Sequence, residues 1–209
     1  MAKHVSSSKN KRIRRTPEEA RRLILKAAEA GMGASGPAGL RLEAVAKAAG
    51  VSHPTILHHF GSREGLIQAL NLKTIQQLKG VLLDVLSAAP TSSEDAISST
   101  FAAYRDGLAQ RMVWLMQSKQ PMGAVGLPAF DELVEALHAM RLRFSGPEPK
   151  FAIEDTRAIV HLTTIAAFGD AIIGARLRRA SDAKEETLLR ARFEHWFGEM
   201  LNVYFRQMI

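Results

Sequence analysis

Cysteine is missing from all 209 residues, which excludes disulfide scaffolds, thiolate zinc sites, cysteine nucleophiles and iron–sulfur clusters. No apolar run reaches the roughly 18 uninterrupted residues of a membrane span. The N-terminus is basic, but no apolar stretch follows it, so it does not read as a secretory leader. No β-branched alternation marks a strand, and no internal repeat is evident. There is also no glycine-rich phosphate loop and no Ser/His/Asp arrangement. His161 and Asp170 stand nine positions apart on one expected helix, too far to meet within it. The expectation is therefore a soluble cytoplasmic chain that is not an enzyme, with no cofactor and no membrane partner.

What is present in excess is positive charge, and it is unevenly placed. Residues 1–65 hold twelve Lys/Arg against five Glu, whereas residues 66–209 hold sixteen basic and sixteen acidic side chains. The whole net charge of +7 thus falls in the first third. Such asymmetry points to a polyanion-binding module joined to a neutral one. Nucleic acid is the first candidate, and an acidic membrane surface the second.

Residues 1–15 are rich in Ser, Lys and Arg and read as a disordered basic arm, available to a DNA minor groove or phosphates. Thr16-Pro17-Glu18-Glu19 then opens a helix: Thr16 caps, Pro17 suits the first turn and Glu19 completes a capping box. Ala20, Leu23, Ile24, Ala27 and Ala28 give that helix one apolar face for about five turns. Gly31, Gly33, Gly36, Pro37 and Gly39 are expected to loosen and end it. A short helix follows over 42–49, stopped by Gly50, and a second begins at the cap Ser52 and runs to Phe60. Two short helices joined by a glycine-containing turn and buttressed by a longer one form a helix-turn-helix.

Beyond it the periodicity is helical throughout. The expected helices run from Arg63 to about Ser87, Ser93 to about Lys119, and Phe130 to about Phe144. Two more run over about 151–179 and 184–207, with a glycine- and proline-containing loop over 121–128. The fold class is all-α, divided into the arm (1–15), a three-helix helix-turn-helix domain (16–65) and a helical C-terminal domain (66–209). His53, His58 and His59 invite a metal reading. Adjacent positions diverge by about 100° on a helix and no acid joins them at ligand spacing, so no metal site is expected.

The residues that carry a resemblance lie in the helix-turn-helix. They are Ala27-Ala28, the turn Ala46-x-x-Ala49-Gly50-Val51-Ser52, Thr55-x-x-x-His59-Phe60, and Ser62-Arg63-Glu64-x-Leu66. Over about 45 residues without a gap this resembles the DNA-binding domain of the TetR (tetracycline-repressor) family. The resemblance implies a ligand-responsive transcriptional regulator, in the first instance a repressor bound as a homodimer to a palindromic double-stranded DNA operator.

Ser52, His53, Pro54 and Thr55 head the expected recognition helix, where side chains reach base edges. His58 and His59 come later on that helix, facing phosphate or core. The resemblance places His59 and Arg63 at the DNA backbone, with Arg63 as a phosphate clamp and Arg41 as a further contact. Leu57 stands where the family often has tyrosine, and Arg41-Leu42 where it often has Thr or Ser, so helix 2 loses a cap.

An inducer pocket for a mostly apolar small molecule is implied among Phe101, Tyr104, Leu108, Met112, Leu115, Met116, Phe130, Val134, Leu137 and His161. His138, Thr164 and Asp170 are further polar candidates. The bland alternative for most of these is packed core. A dimer surface is implied on the last two helices through Ile165, Gly169, Ile172, Ile173, Phe193, Trp196, Met200 and Tyr204. Two alternatives stay open: a DNA-binding dimer with no small-molecule pocket, and a helical lipid-surface protein using its basic arm.

Overall fold

The computed structural model describes residues 15–36, 39–88, 93–105, 107–116, 123–144 and 151–207; residues 1–14 of the basic arm lie outside them. The described residues are helical with no strand. In chain order the helices are α1 (Pro17–Ser35), α2 (Leu42–Ala49), α3 (His53–Phe60), α4 (Arg63–Ser87), α5 (Ser93–Arg105), α6 (Leu108–Met116), α7 (Gly123–Phe144), α8 (Ile153–Gly169), α9 (Ala175–Arg178) and α10 (Ala183–Gln207). A single π-helical turn, Asp170–Gly174, joins α8 to α9.

Local chemistry accounts for the starts. Thr16 Oγ1 accepts from the Glu19 amide and the Glu19 carboxylate accepts from the Thr16 amide, the expected capping box. Helix α1 has the expected length of about five turns and ends inside the glycine-rich stretch, at Gly36. The helix runs on to Ser35 because buried Met32 holds its last turn in the core, and Gly36, at φ +66°, closes it by donating to the Met32 carbonyl. A Cβ on Gly31 would stand 3.6 Å from Leu40 Cδ1, an ordinary van der Waals contact, so the packing there has room for alanine.

Two expectations are corrected. The helix expected from Ser93 to Lys119 is broken after Arg105, where Gly107 at φ +77° turns the chain into α6. The loop expected over 121–128 is helical from Gly123 onward, with exposed Pro128 inside α7 at the loss of one backbone donor.

The apolar side chains gather into two cores. Ile24, Ala28, Met32, Leu40, Val45, Ala46, Ala49, Ile56, Leu66, Ile67 and Leu70 make the first, from α1 to the start of α4. Leu78, Leu82, Ile97, Phe101, Tyr104, Leu108, Leu133, Ile159, Phe197 and Leu201 belong to the second. Helix α4 serves both, its first half in one core and its second half in the other. A second tie between the cores is ionic. Glu29 of α1 accepts from Lys73 of α4 at 2.8 Å and from Arg111 of α6 at 2.6 Å. Trp114, also on α6, packs against the first core.

The stretch Ile153–Arg178 is long and apolar enough, by length and composition, to cross a membrane. Its Asp170, however, is inside the protein, 2% exposed, paired with Arg178 of α9 and lying 3.5 Å from Arg105 of α5. Arg105 also meets buried Glu194 of α10 at 2.5 Å, and Arg178 meets Glu186 at 2.6 Å. A Cβ on Gly174 would stand 2.3 Å from the Asp170 carboxylate and 2.9 Å from the Arg178 guanidinium, so a side chain there would have to displace that ion pair.

Candidate nucleic-acid interface

The interface begins with how α2 and α3 are held apart. Gly50 adopts the left-handed conformation at φ +63°, which ends α2 and turns the chain through Val51 into Ser52. Ser52 Oγ accepts from the Thr55 amide at 3.3 Å and lies 2.7 Å from Thr55 Oγ1. Those bonds fix the first turn of α3, with Pro54 in it. At the other end Gly61, at φ +72°, closes α3, and Ser62 caps α4 by accepting from the Gly65 amide at 3.0 Å. Gly65 is sterically required: a Cβ there would stand 2.0 Å from the Phe60 carbonyl oxygen.

Ile56 has no exposure and sets the inner side of α3; Pro54, Leu57 and His58 are exposed, while His53, Thr55 and His59 are half-buried. His53 Nδ1 lies 4.0 Å from a Glu43 carboxylate oxygen on α2. The expected residues Ser52, His53, Pro54, Thr55 and His58 are thus brought together on one short, doubly capped helix at the surface. Arg41 stands at the N-cap of α2, exposed and making no side-chain cap bond. The loss of a cap expected there is what is found.

Three arginines serve the framework rather than standing clear of it. Arg15, assigned to the disordered arm, donates to the carbonyls of Ala49 (3.0 Å) and Gly50 (2.8 Å), satisfying the end of α2. Arg21 lies over the Phe60 ring and donates to the His59 carbonyl at 3.2 Å. Arg63, expected as a phosphate clamp, donates from Nε to the Leu40 carbonyl at 3.0 Å and lies 3.5 Å from Glu64. Its side chain remains 35% exposed, so the charge stays near the surface while the guanidinium stitches α4 to the segment before α2. No spacing rule in the sequence marks these arginine-to-carbonyl bonds, which join residues 23 to 38 positions apart.

The C-terminal candidates divide. Phe101, Tyr104, Leu108 and Val134 are buried, with Met112 and Leu137 packed on the second core. The Phe101 ring meets Phe193 and Phe197 edge-on at 5.9 and 5.5 Å. Burial raises the Tyr104 pKa, opposed by its hydrogen bond with Thr164. Met116 and His161 do not line that interior. Met116 is 54% exposed at the end of the shortened α6, and His161 is exposed with its ring edge-on to half-buried Phe130. The Leu115 side chain lies outside the described residues. His138 instead bonds Thr156, which is fully buried and also accepts from Arg141 at 2.6 Å.

On the last helices Ile165, Ile173 and Trp196 are exposed, joined by Leu162 and Leu177. Gly169 is half-buried between them. Ile172, Phe193, Met200 and Tyr204 are drawn inward against the second core, because α10 packs along α5 on that side.

Residues 24–70, the stretch from mid-α1 to α4, match the profile of the bacterial regulatory proteins of the tetR family. The helix-turn-helix segment is that of the TetR family. Among curated relatives the chain is similar to the HTH-type transcriptional regulatory protein RaaS of Mycobacterium tuberculosis, with 29% identity over 97 residues. That match covers 46% of this chain, and it spans 44% of the relative's length.

Solved structures share the fold over nearly the whole chain. A TetR-family regulator from Mesorhizobium loti is 18% identical with a TM-score of 0.66, covering 90% of this chain and 98% of that one. A TetR regulator from Legionella pneumophila is 19% identical with a TM-score of 0.60, covering 89% and 98%. The N-terminal helix-turn-helix followed by a helical C-terminal region is therefore the TetR architecture, as the sequence resemblance implied.

Proposed function

We propose that this TetR-family chain is a homodimeric, sequence-specific transcriptional repressor that leaves a palindromic operator when an apolar small molecule binds its C-terminal domain. The observation that carries the DNA-binding part is the surface-exposed, doubly capped α3, presenting Pro54, Leu57 and His58 beside the turn from α2. A major groove about 12 Å wide admits one such helix. Positive charge confined to residues 1–65 supplies the sequence-independent affinity. Arg41, His59 and Arg63 are the phosphate-side candidates.

Support for a dimer comes from the exposed Leu162, Ile165, Ile173, Leu177 and Trp196, an apolar surface suited to a second copy. A two-fold arrangement would set two recognition helices about one DNA turn, 34–36 Å, apart or further for a long operator. A cytoplasmic site of action follows from this reading.

For the effector, Phe101, Tyr104, Leu108, Met112, Val134 and Leu137 are the proposed wall, with Thr164 beside the Tyr104 hydroxyl as the polar fixture. The complete burial of Phe101 and Val134 favours a second reading, a DNA-binding dimer without a small-molecule site, controlled by a protein partner or by abundance. The experiment that decides is selection on random duplexes, followed by release from the selected site with a panel of apolar ligands. Selection of one palindrome supports the DNA reading, and its absence refutes it. Release by a ligand supports the pocket, and retention across the panel supports the second reading.

A further inference from the structure

The outer face of α3 is unusual in what it offers a base pair. Buried Ile56 fixes the inner side; at about 100° per residue the opposite side carries Pro54 and His58, with Leu57 beside them. Between Gly50 and Ser62 there is no Lys, Arg, Asn or Gln, so the side chains that make bidentate contacts to guanine or adenine are missing from the recognition helix. Several of its remaining polar groups are engaged at home. The Ser52 and Thr55 hydroxyls lie 2.7 Å apart, and His53 lies 4.0 Å from Glu43.

Presented outward are the ring of Pro54 and the imidazole of His58, with the isobutyl group of Leu57 beside them, 40% exposed. A single exposed leucine means little on a protein surface. Here it shares the groove-facing side with an exposed proline. The apolar feature on the floor of the major groove is the C5-methyl of thymine. We propose that Pro54 and Leu57 are specificity-determining residues that read thymine methyl groups, so that the half-site is defined by where its thymines lie rather than by bidentate guanine contacts. This rests on the DNA-binding reading above and adds the chemistry of the recognised edge.

Deoxyuridine isolates that chemistry, since it keeps the pairing and hydrogen-bonding edge of thymidine and lacks only the methyl. The full chain would be titrated by fluorescence anisotropy, at one salt concentration, against its selected duplex and against duplexes with each half-site thymine replaced in turn. At one or two positions the replacement should weaken binding about four-fold, the equivalent of about 0.8 kcal/mol for one buried carbon. At those positions Leu57→Ala or Pro54→Ala should bind the thymine duplex more weakly and cut the thymine-to-uracil ratio below about two-fold. Melting curves would verify that both variants fold.

Three outcomes overturn the proposal while leaving the DNA-binding reading in place. The first is a selected half-site without thymine. The second is a uracil effect below two-fold at every position in the native protein. The third is a uracil penalty undiminished in both variants. Failure to select any sequence is a different result, because it overturns the DNA-binding reading itself.

Discussion

Replacing Ser52 by alanine and, separately, by aspartate should uncouple the stability of the recognition helix from its affinity for DNA. Ser52 Oγ makes the one side-chain cap bond at the head of an eight-residue helix, so no neighbouring turn compensates for its loss. Ser52→Ala should cost about 1 kcal/mol, seen as a fall of about 2–4 °C in the melting temperature for a chain of this length. Aspartate accepts the same bond, and its charge suits the positive end of a helix, so Ser52→Asp should melt near the native temperature. Its carboxylate would nevertheless stand where α3 meets the phosphate backbone. At about 7 Å in water each phosphate adds roughly 0.6 kcal/mol of repulsion. Two or three of them give about 1.2–1.8 kcal/mol, or roughly an 8- to 20-fold loss of affinity. That loss should shrink as salt is raised from about 0.05 to 0.3 M, because screening shortens the reach of exposed charges. Thermal melts and anisotropy titrations on the selected duplex give both numbers. Native-like binding by a folded Ser52→Asp protein at low salt would refute the placement of α3 at the DNA, and an unchanged melt for Ser52→Ala would refute the cap.

Other consequences are as concrete. Gly65→Ala drives a Cβ to 2.0 Å from the Phe60 carbonyl oxygen, so the α3–α4 corner must give way, and DNA binding should vanish together with a loss of more than about 3 kcal/mol in denaturant unfolding. Trp196→Glu places a charge on the exposed apolar face of α10 and should convert a dimer to monomer in sedimentation; a dimer of unchanged affinity would exclude this face as the interface. Burial raises the Tyr104 pKa above its usual 10.0, so the unfolded chain gives up this proton first. Its contribution is therefore fully present below about pH 10 and is lost as pH climbs through the raised folded value; Tyr104→Phe should flatten that alkaline limb of stability against pH. Glu29→Gln leaves Lys73 and Arg111 together without their shared carboxylate and should cost about 1–3 kcal/mol by chemical denaturation, with a change under 0.5 kcal/mol counting against the tie.

Most of the architecture was legible because it rests on local rules. Thr16, Ser52 and Ser62 cap, Gly50 and Gly61 stop, and the 3.6-residue spacing of Leu66, Leu70, Ile75, Leu78 and Leu82 carries α4. Gly31 and Gly33 show how burial decides where several local stops compete. Gly31 and Gly33 are helix breakers by propensity, but Met32 between them is 1% exposed, and its burial outweighs a cost of about 1 kcal/mol per glycine. Asp106-Gly107 is a turn dipeptide, the local signal for the split in the long helix expected from Ser93, but the apolar periodicity runs straight through it. The framework roles of Arg15, Arg21 and Arg63 were beyond any pattern, since each joins a side chain to a backbone carbonyl far along the chain. The apolar list Phe101 to Leu137 could be assembled from sequence but not divided into interior and surface, because that division depends on which faces of α5, α6 and α7 meet the neighbouring helices.

Helix α4 is a rigid beam with each end set in a different core. From Leu82, seated in the second core, to Arg63 there are 19 residue rises, about 28 Å along the axis. Turned about Leu82 by only about 7°, such a beam carries its first residue through about 3.4 Å, the spacing of one base-pair step. Arg63 travels with it, and through the Leu40 carbonyl so does the chain entering α2. Register on a duplex is thus the quantity most sensitive to small repacking around Leu78 and Leu82, side chains that never come near a nucleotide.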